Sequence, residues 1–202
     1  MYILLIPVEI HGKVYYNKRI SGKTGGDAVM EIFDVYDKDR LKTGRTFVRG
    51  EPQPDDCLRI VVHICIINEE GEMLIQQRQS CRKSWADMWD VSVGGGVRSG
   101  ETSCQAAERE TAEELGLKID FSGMRPVLTV NFNHGFDDYY VVRSDTEISS
   151  LSLQQEEVKD AMWASKEKIF SMIDAGSFIP YHKSLIDLIF RMKDHADARN
   201  LH

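Results

Sequence analysis

The chain is poor in cysteine, in basic clusters and in long apolar runs, and each shortage excludes a class of protein. The four cysteines among 202 residues, Cys57, Cys65, Cys81 and Cys104, show no paired spacing. That argues against a disulfide framework and for reduced thiols in a cytoplasm. No apolar stretch approaches the roughly 20 residues that cross a bilayer, so no membrane partner is expected. No cationic segment precedes the short apolar run near the start, which excludes a secretory leader. Lys and Arg form no block and the net charge is −7, so a nucleic-acid backbone is not the expected main partner. Internal repeats and low-complexity tracts are also lacking. What is present, 42% hydrophobic and 28% charged residues, is enough for one good core and too little chain for two large domains.

Strand and helix signals are mixed along the chain. Residues 58–67 are apolar and β-branched, Asn68-Glu-Glu-Gly71 reads as a turn and residues 72–79 as the return strand, so a hairpin is predicted. Residues 90–93 form a short strand, and residues 127–130 and 139–142 read as strands flanking a turn around 133–138. Ser165 is placed to N-cap a helix ending near Gly176. From Lys183, the residues Leu185, Leu188, Ile189 and Met192 make one apolar stripe at helical spacing, a core face. The fold class is therefore α+β. Residues 1–29 stand apart as an N-terminal extension or hairpin, with a His11-Gly12 turn and a linker at 21–26. Met30 is an alternative start, and one catalytic domain with a C-terminal helix occupies 30–202.

The densest pattern lies between Gly95 and Leu117. It reads glycine, five residues, Glu101, seven residues, then Arg109-Glu110-x-x-Glu113-Glu114-x-Gly116-Leu117. Strong helix formers fill residues 102–115 and Gly116 follows them, so this is a helix with a glycine stop. At about 100° per residue, Glu110, Glu113 and Glu114 fall within an arc of roughly 100°, with Ala106 and Ala107 extending that face toward the glycines. A solvated acidic face would carry the same carboxylates. The oxygen-only donor set, with no His or Cys at ligand spacing and a glycine turn able to approach phosphate, favours a hard divalent ion such as Mg2+ or Mn2+ over zinc. Glu101, at the helix N-terminus, suits the macrodipole or the metal equally well.

This segment resembles a Nudix box, departing from the usual aliphatic residue only at Thr111. The resemblance implies a Nudix α/β/α sandwich around a mixed β-sheet. It also implies that Glu110, Glu113 and Glu114 hold Mg2+, with Mn2+ an alternative, and that Arg109 fixes a glutamate by a charge-assisted pair. The reaction implied is metal-assisted hydrolysis of a phosphoanhydride in a nucleoside diphosphate linked to another moiety, a small-molecule diphosphate substrate. Gly95 and Gly96 with Arg78 and Lys83, and Arg82 beside them, are the candidates for meeting the diphosphate. Glu113 or Glu114 could take the proton from water; Glu157 resembles a late glutamate used as ligand or base in the family, with Glu156, Asp137 and Asp138 as rivals.

Outside the box, Glu31-Ile-Phe-Asp-Val-Tyr-Asp37, Arg49-Gly50, His63, Arg78 and the stretch from Lys83 to Gly95 are similar to the Nudix branch that includes isopentenyl-diphosphate isomerases. Isomerases carry Ser-Val-Cys-Gly-His where this chain has Ser92-Val93-Gly94-Gly95-Gly96, so both the cysteine acting on carbon and the metal-binding histidine are missing. That favours hydrolysis over isomerisation, and the complete box speaks against a module that only binds a nucleotide. His63, in an apolar strand, is expected to be a satisfied core histidine, and Trp85 and Trp89 to be packing anchors. The oligomeric state stays open, a homodimer included.

Overall fold

The residues from Arg59 to Ile67 supply the central strand, because they are apolar on both faces and therefore need cover on both. The structure is a computed structural model and describes residues 7–10, 13–16, 31–51 and 56–194. In chain order the strands are β1 (Pro7–Ile10), β2 (Lys13–Tyr16), β3 (Ile32–Tyr36), β4 (Lys42–Val48), β5 (Arg59–Ile67), β6 (Met73–Arg78), β7 (Trp89–Asp90), β8 (Val93–Gly96), β9 (Leu128–Phe132), β10 (Gly135–Arg143) and β11 (Val158–Ala164). The helices are α1 (Ser103–Leu115), α2 (Lys166–Asp174) and α3 (Lys183–Arg191).

The main sheet runs β11-β6-β5-β10-β9, with β7 on β6 and β8 on β5. Strands β5 and β10 are parallel and the other pairs antiparallel, so the sheet is mixed. Alternation along β5 divides the core. Ile60, Val62, Ile64 and Ile66 pack with Ala106, Ala107 and Leu115 of α1. Cys65 and Ile67 face the other way, onto Ile169 of α2 and Ile186, Ile189 and Phe190 of α3. Helices thus cover both faces, as the resemblance implied. Strands β3 and β4 pair antiparallel and are bridged to the main body at Phe33–Arg98 and Tyr36–Leu58. Strands β1 and β2 form their own antiparallel ladder. The His11-Gly12 turn, the 21–26 linker and Met30 lie outside the described residues.

Several expectations need correction. The hairpin turn at 68–71 is present, but β5 and β6 share only the pair Ile67–Met73 before they part. Ser92 fills the gap: its hydroxyl accepts from Ile66 N at 2.8 Å and donates to Leu74 O. The parting lets β7 and β8 enter the sheet. Asp137 and Asp138 lie in β10, not in a turn, since parallel pairing with Val61 and Val62 extends the strand back to Gly135. In α3 the buried residues are Ile186, Ile189 and Phe190, whereas Leu188 is exposed. Trp89 packs on the α2/α3 core, but Trp85 is half exposed, with a left-handed φ of 54° in the loop after β6. No helix among the described residues is long and apolar enough to cross a membrane.

Candidate active site

Local sequence fixes α1 directly behind the glycine strand. Thr102 accepts from Gln105 N at 3.3 Å while Gln105 Oε1 accepts from Thr102 N at 2.9 Å, a reciprocal N-terminal cap. Gly116 ends the helix with φ 71°. Ala106 and Ala107 are fully buried, and Thr111 donates to Ala107 O at 2.7 Å, which satisfies its hydroxyl inside the core. The small side chains bring the helix close to β8. A carbon placed at Gly95 would lie 2.1 Å from Glu110 Cδ, so the Glu110 carboxyl fills the space that a side chain there would need.

Glu110 and Glu114 are buried and Glu113 is half-buried. Burial pushes the Glu110 carboxyl up to about 7, more than the adjacent Arg109 brings it down. Glu114 is raised well above the carboxylate range by burial and by the charge of Glu110. The Glu114 carboxyl accepts from Gln76 Nε2 at 2.8 Å, and no cation reaches it among the described residues. Arg109 is the hub of the cluster. It binds Glu101 through Nε at 2.7 Å and Nη2 at 2.8 Å, and its Nη1 lies 2.7 Å from Glu110 and 3.1 Å from Glu113. Its Nη2 also donates to Gly96 O at 3.0 Å, which ties the helix to β8. Glu101 is engaged by Arg109 on both oxygens and accepts from Arg98 N, an anchoring arrangement.

The other sequence-derived residues spread over two faces of the sheet. Glu157, in the turn before β11, lies 3.0 Å from Arg82 Nη1, and its charge is felt by both Glu114 and Arg49. Glu156 is exposed. Arg78 points inward, 3.5 Å from Asp90 and 3.3 Å from Ser84 O, while Lys83 is exposed. Asp138 is fully buried and accepts from Arg40, Ser103 and Thr129, which commits it to holding elements together. Asp137 lies 3.1 Å from His63 Nε2. His63 stacks on Tyr139 at 4.7 Å, but its buried Nδ1 has no hydrogen-bond partner, so the satisfied histidine expected from sequence is only half satisfied. A carbon placed at Gly94 would lie 3.7 Å from that nitrogen, and one at Gly96 would fall 2.4 Å from the Phe33 ring.

Sequence reasoning missed Gln76, Arg98 and the bridging role of Glu31. Arg98 contacts Glu31 at 2.8 Å and Glu113 at 3.3 Å, and Glu31 also binds Arg49. A polar residue at the end of the apolar run Met73-Leu-Ile was the available signal for Gln76. For Arg98 it was a basic residue inside the acidic box.

Comparison with known proteins bears on this arrangement. The NUDIX domain model matches residues 58–186. An uncharacterized Nudix hydrolase of Listeria monocytogenes is 44% identical over 165 residues, spanning 82% of this chain and 96% of that protein. An isopentenyl-diphosphate Delta-isomerase of Corynebacterium glutamicum is 27% identical over 135 residues, 62% of this chain and 71% of its own length. A crystal structure from Deinococcus radiodurans matches with a TM-score of 0.65 and 26% identity, over 80% of this chain and 98% of that one. Since the matched region carries the helix carboxylates, their arginine hub and the sheet that supports them, the chain belongs to the Nudix family of hydrolases.

Proposed function

We propose that this chain hydrolyses a phosphoanhydride in a nucleoside diphosphate linked to another moiety, with Mg2+ as its metal and Mn2+ as a substitute. Nudix hydrolases generally use a divalent metal, and the residues present fit one by their chemistry. Five carboxyl groups (Glu31, Glu101, Glu110, Glu113 and Glu157) meet four guanidinium groups (Arg49, Arg82, Arg98 and Arg109), and a sixth, Glu114, accepts from the Gln76 amide. With all six ionised, the state a bound cation would favour, the shortfall of two positive charges would equal one divalent ion. Among the described residues no three acidic, His or Cys side chains are gathered into a ready ligand set. Glu113 is engaged by Arg98 and Arg109, so holding a metal would require it to exchange those partners.

The observation that carries this reading is the buried Glu114 carboxyl, which has an amide donor and, among the described residues, no cation. An isolated buried carboxylate is costly, so such a group is expected to be neutral or to meet a positive charge on binding. On this reading Glu110, Glu113 and Glu114 would hold the metal, and the chemistry it would supply there is polarisation of phosphate oxygens and water. Arg109 orients Glu110 and Glu113 from behind. Gly95 leaves the room that Glu110 occupies, and the Gly96 strand carries the phosphate-facing backbone. Glu157, oriented by Arg82, takes the proton of the attacking water. Arg78, which contacts Asp90 and Ser84 O, and the exposed Lys83 act at the rim, on the organic part of the substrate. Four free cysteines, one of them exposed, agree with a cytoplasmic location.

Isomerisation has less support. The position of the isomerase histidine is Gly96, and the Phe33 ring occupies the space where its side chain would go. The test is 31P NMR of the protein with Mg2+ and a panel of nucleoside diphosphates, nucleotide sugars, dinucleotides and isopentenyl diphosphate, with Glu113→Gln as control. Loss of a phosphoanhydride resonance in the wild type alone supports hydrolysis. Retained phosphate with a shifted double bond would overturn it.

A further inference from the structure

Of the basic residues that sequence reading put forward for the diphosphate, Arg78 lies 3.5 Å from Asp90, Arg82 is paired with Glu157 and Lys83 is exposed. Two other guanidiniums face the α1 carboxylates. Arg98 uses one edge to hold Glu31, with Nε at 3.2 Å and Nη2 at 2.8 Å from the same oxygen. Its other edge meets Glu113 at 3.4 Å through Nη1 and at 3.3 Å through Nη2. Contacts of that length are well beyond the roughly 2.7–2.9 Å of a strong charged hydrogen bond, so the Glu113 edge is the weaker one. Arg49 pairs with the second oxygen of Glu31, and its charge is further stabilised by Glu157 and Glu110. Glu31 therefore fixes two guanidiniums side by side at the rim of the carboxylate cluster.

We infer that Glu31, Arg49 and Arg98 form an anion clamp for the substrate's diphosphate, in which Arg98 rests on Glu113 until a divalent cation takes that carboxylate and then turns its free edge to a phosphate oxygen. The inference rests on the metal-binding reading of α1. Its logic is competition. A cation at Glu110, Glu113 and Glu114 repels the guanidinium bound to the same carboxylate, and the anchor on Glu31 keeps Arg98 within reach. The released fork presents paired N–H donors suited to a phosphate. Metal binding and readiness for substrate are then one event, because the same contact must break for both.

The full chain can be tested without turnover. Mn2+ binding is followed by electron paramagnetic resonance of the free ion, and binding of methylenediphosphonate, which is not hydrolysed, by calorimetry in the presence of Mn2+. Arg98→Gln is expected to bind Mn2+ about two- to fivefold more tightly, the modest gain from losing one partly exposed ion pair. The same variant is expected to bind the diphosphonate at least about tenfold more weakly. Glu31→Gln is expected to weaken the diphosphonate as well, yet to bind Mn2+ no better than the wild type, because the unanchored Arg98 stays on Glu113. A damaged fold would lower both affinities together, so tighter Mn2+ binding cannot arise that way. Unchanged or weaker Mn2+ binding in Arg98→Gln, or an unchanged diphosphonate affinity, overturns the clamp alone. A wild type that binds no Mn2+ overturns the metal reading and the clamp with it.

Discussion

The Gln76 amide donates to Glu114 Oε2 at 2.8 Å, and both side chains are buried between β6 and α1. The pair places a carboxyl where burial strongly disfavours its charge, which sacrifices stability for a potential metal ligand. Glu114→Gln removes that conflict while keeping the shape, and the new amide can offer its oxygen to Gln76. In EDTA the variant is expected to gain about 1 kcal/mol in urea unfolding, and in Mg2+ to lose turnover at least about 100-fold. Saturating Mg2+ at about 100 times its Kd should add roughly 2.7 kcal/mol to the wild type and nothing to the variant. A variant less stable than wild type in EDTA, or equally active in Mg2+, would refute the assignment.

Neighbouring glycines in β8 should respond unequally to the same added methyl. At Gly95 the new carbon would meet Glu110 Cδ at 2.1 Å, whereas at Gly94 the nearest atoms are 3.7 Å away. Gly95→Ala must displace the Glu110 carboxyl, and a shift of about 1 Å at a catalytic group can cost on the order of 100-fold in rate. Gly94→Ala is expected to stay within about twofold of wild type, since its contacts are ordinary van der Waals distances. Steady-state rates of the two purified variants decide the matter, and equal losses would show that Glu110 does not depend on the room left by Gly95.

The helix was legible in the sequence because its determinants are local. The Thr102–Gln105 cap, the Gly116 stop and the carboxylate spacing all lie within one element. The parting of β5 from β6 was not legible, because it depends on Ser92, a residue far along the chain that reads as an ordinary strand serine. Asp137 and Asp138 follow turn-forming residues and look like loop carboxylates. Only the nonlocal pairing with β5 makes them strand residues, and the buried donors Ser103 and Thr129 account for Asp138. Arg98 was not legible either, since nothing in the box announces that Glu31, 67 positions earlier, lies beside it.

Acid should expose a different joint. Asp34 of β3 meets Lys42 at 2.6 Å, Ser99 Oγ at 2.7 Å and Gly100 N at 3.0 Å, tying β3 to the turn before α1. Burial raises its pKa, but the Lys42 ammonium and the Gly100 and Ser99 donors outweigh that and leave it below the ordinary value. The stability this gives is fully present above the unfolded value near 4 and is lost as pH falls through the lower folded value. The stability gap between wild type and Asp34→Asn in urea should therefore be constant from pH 7 to about 5 and shrink below about 4. A gap that stays the same on acidification would show that the carboxylate charge is not what holds the joint.

Asp138 and Glu157 were both eligible as the base, and their surroundings separate them. Asp138 is fully buried and accepts from Ser103 at 2.6 Å, from Thr129 at 2.7 Å and from Arg40, joining the first residue of α1 to β9 and β10. Asp138→Asn puts an N–H where hydroxyl donors already point and leaves the Arg40 charge uncompensated. The expected cost is about 3 kcal/mol, or roughly 10 °C in Tm, with kcat per folded molecule nearly unchanged. Glu157 is partly exposed and is held by Arg82 at 3.0 Å in a turn. Glu157→Gln should leave Tm within about 2 °C and lower kcat by about 100-fold or more. If kcat instead falls with Asp138→Asn at a temperature where that variant is fully folded, the proton leaves through β10, and Glu157 serves only to position Arg82.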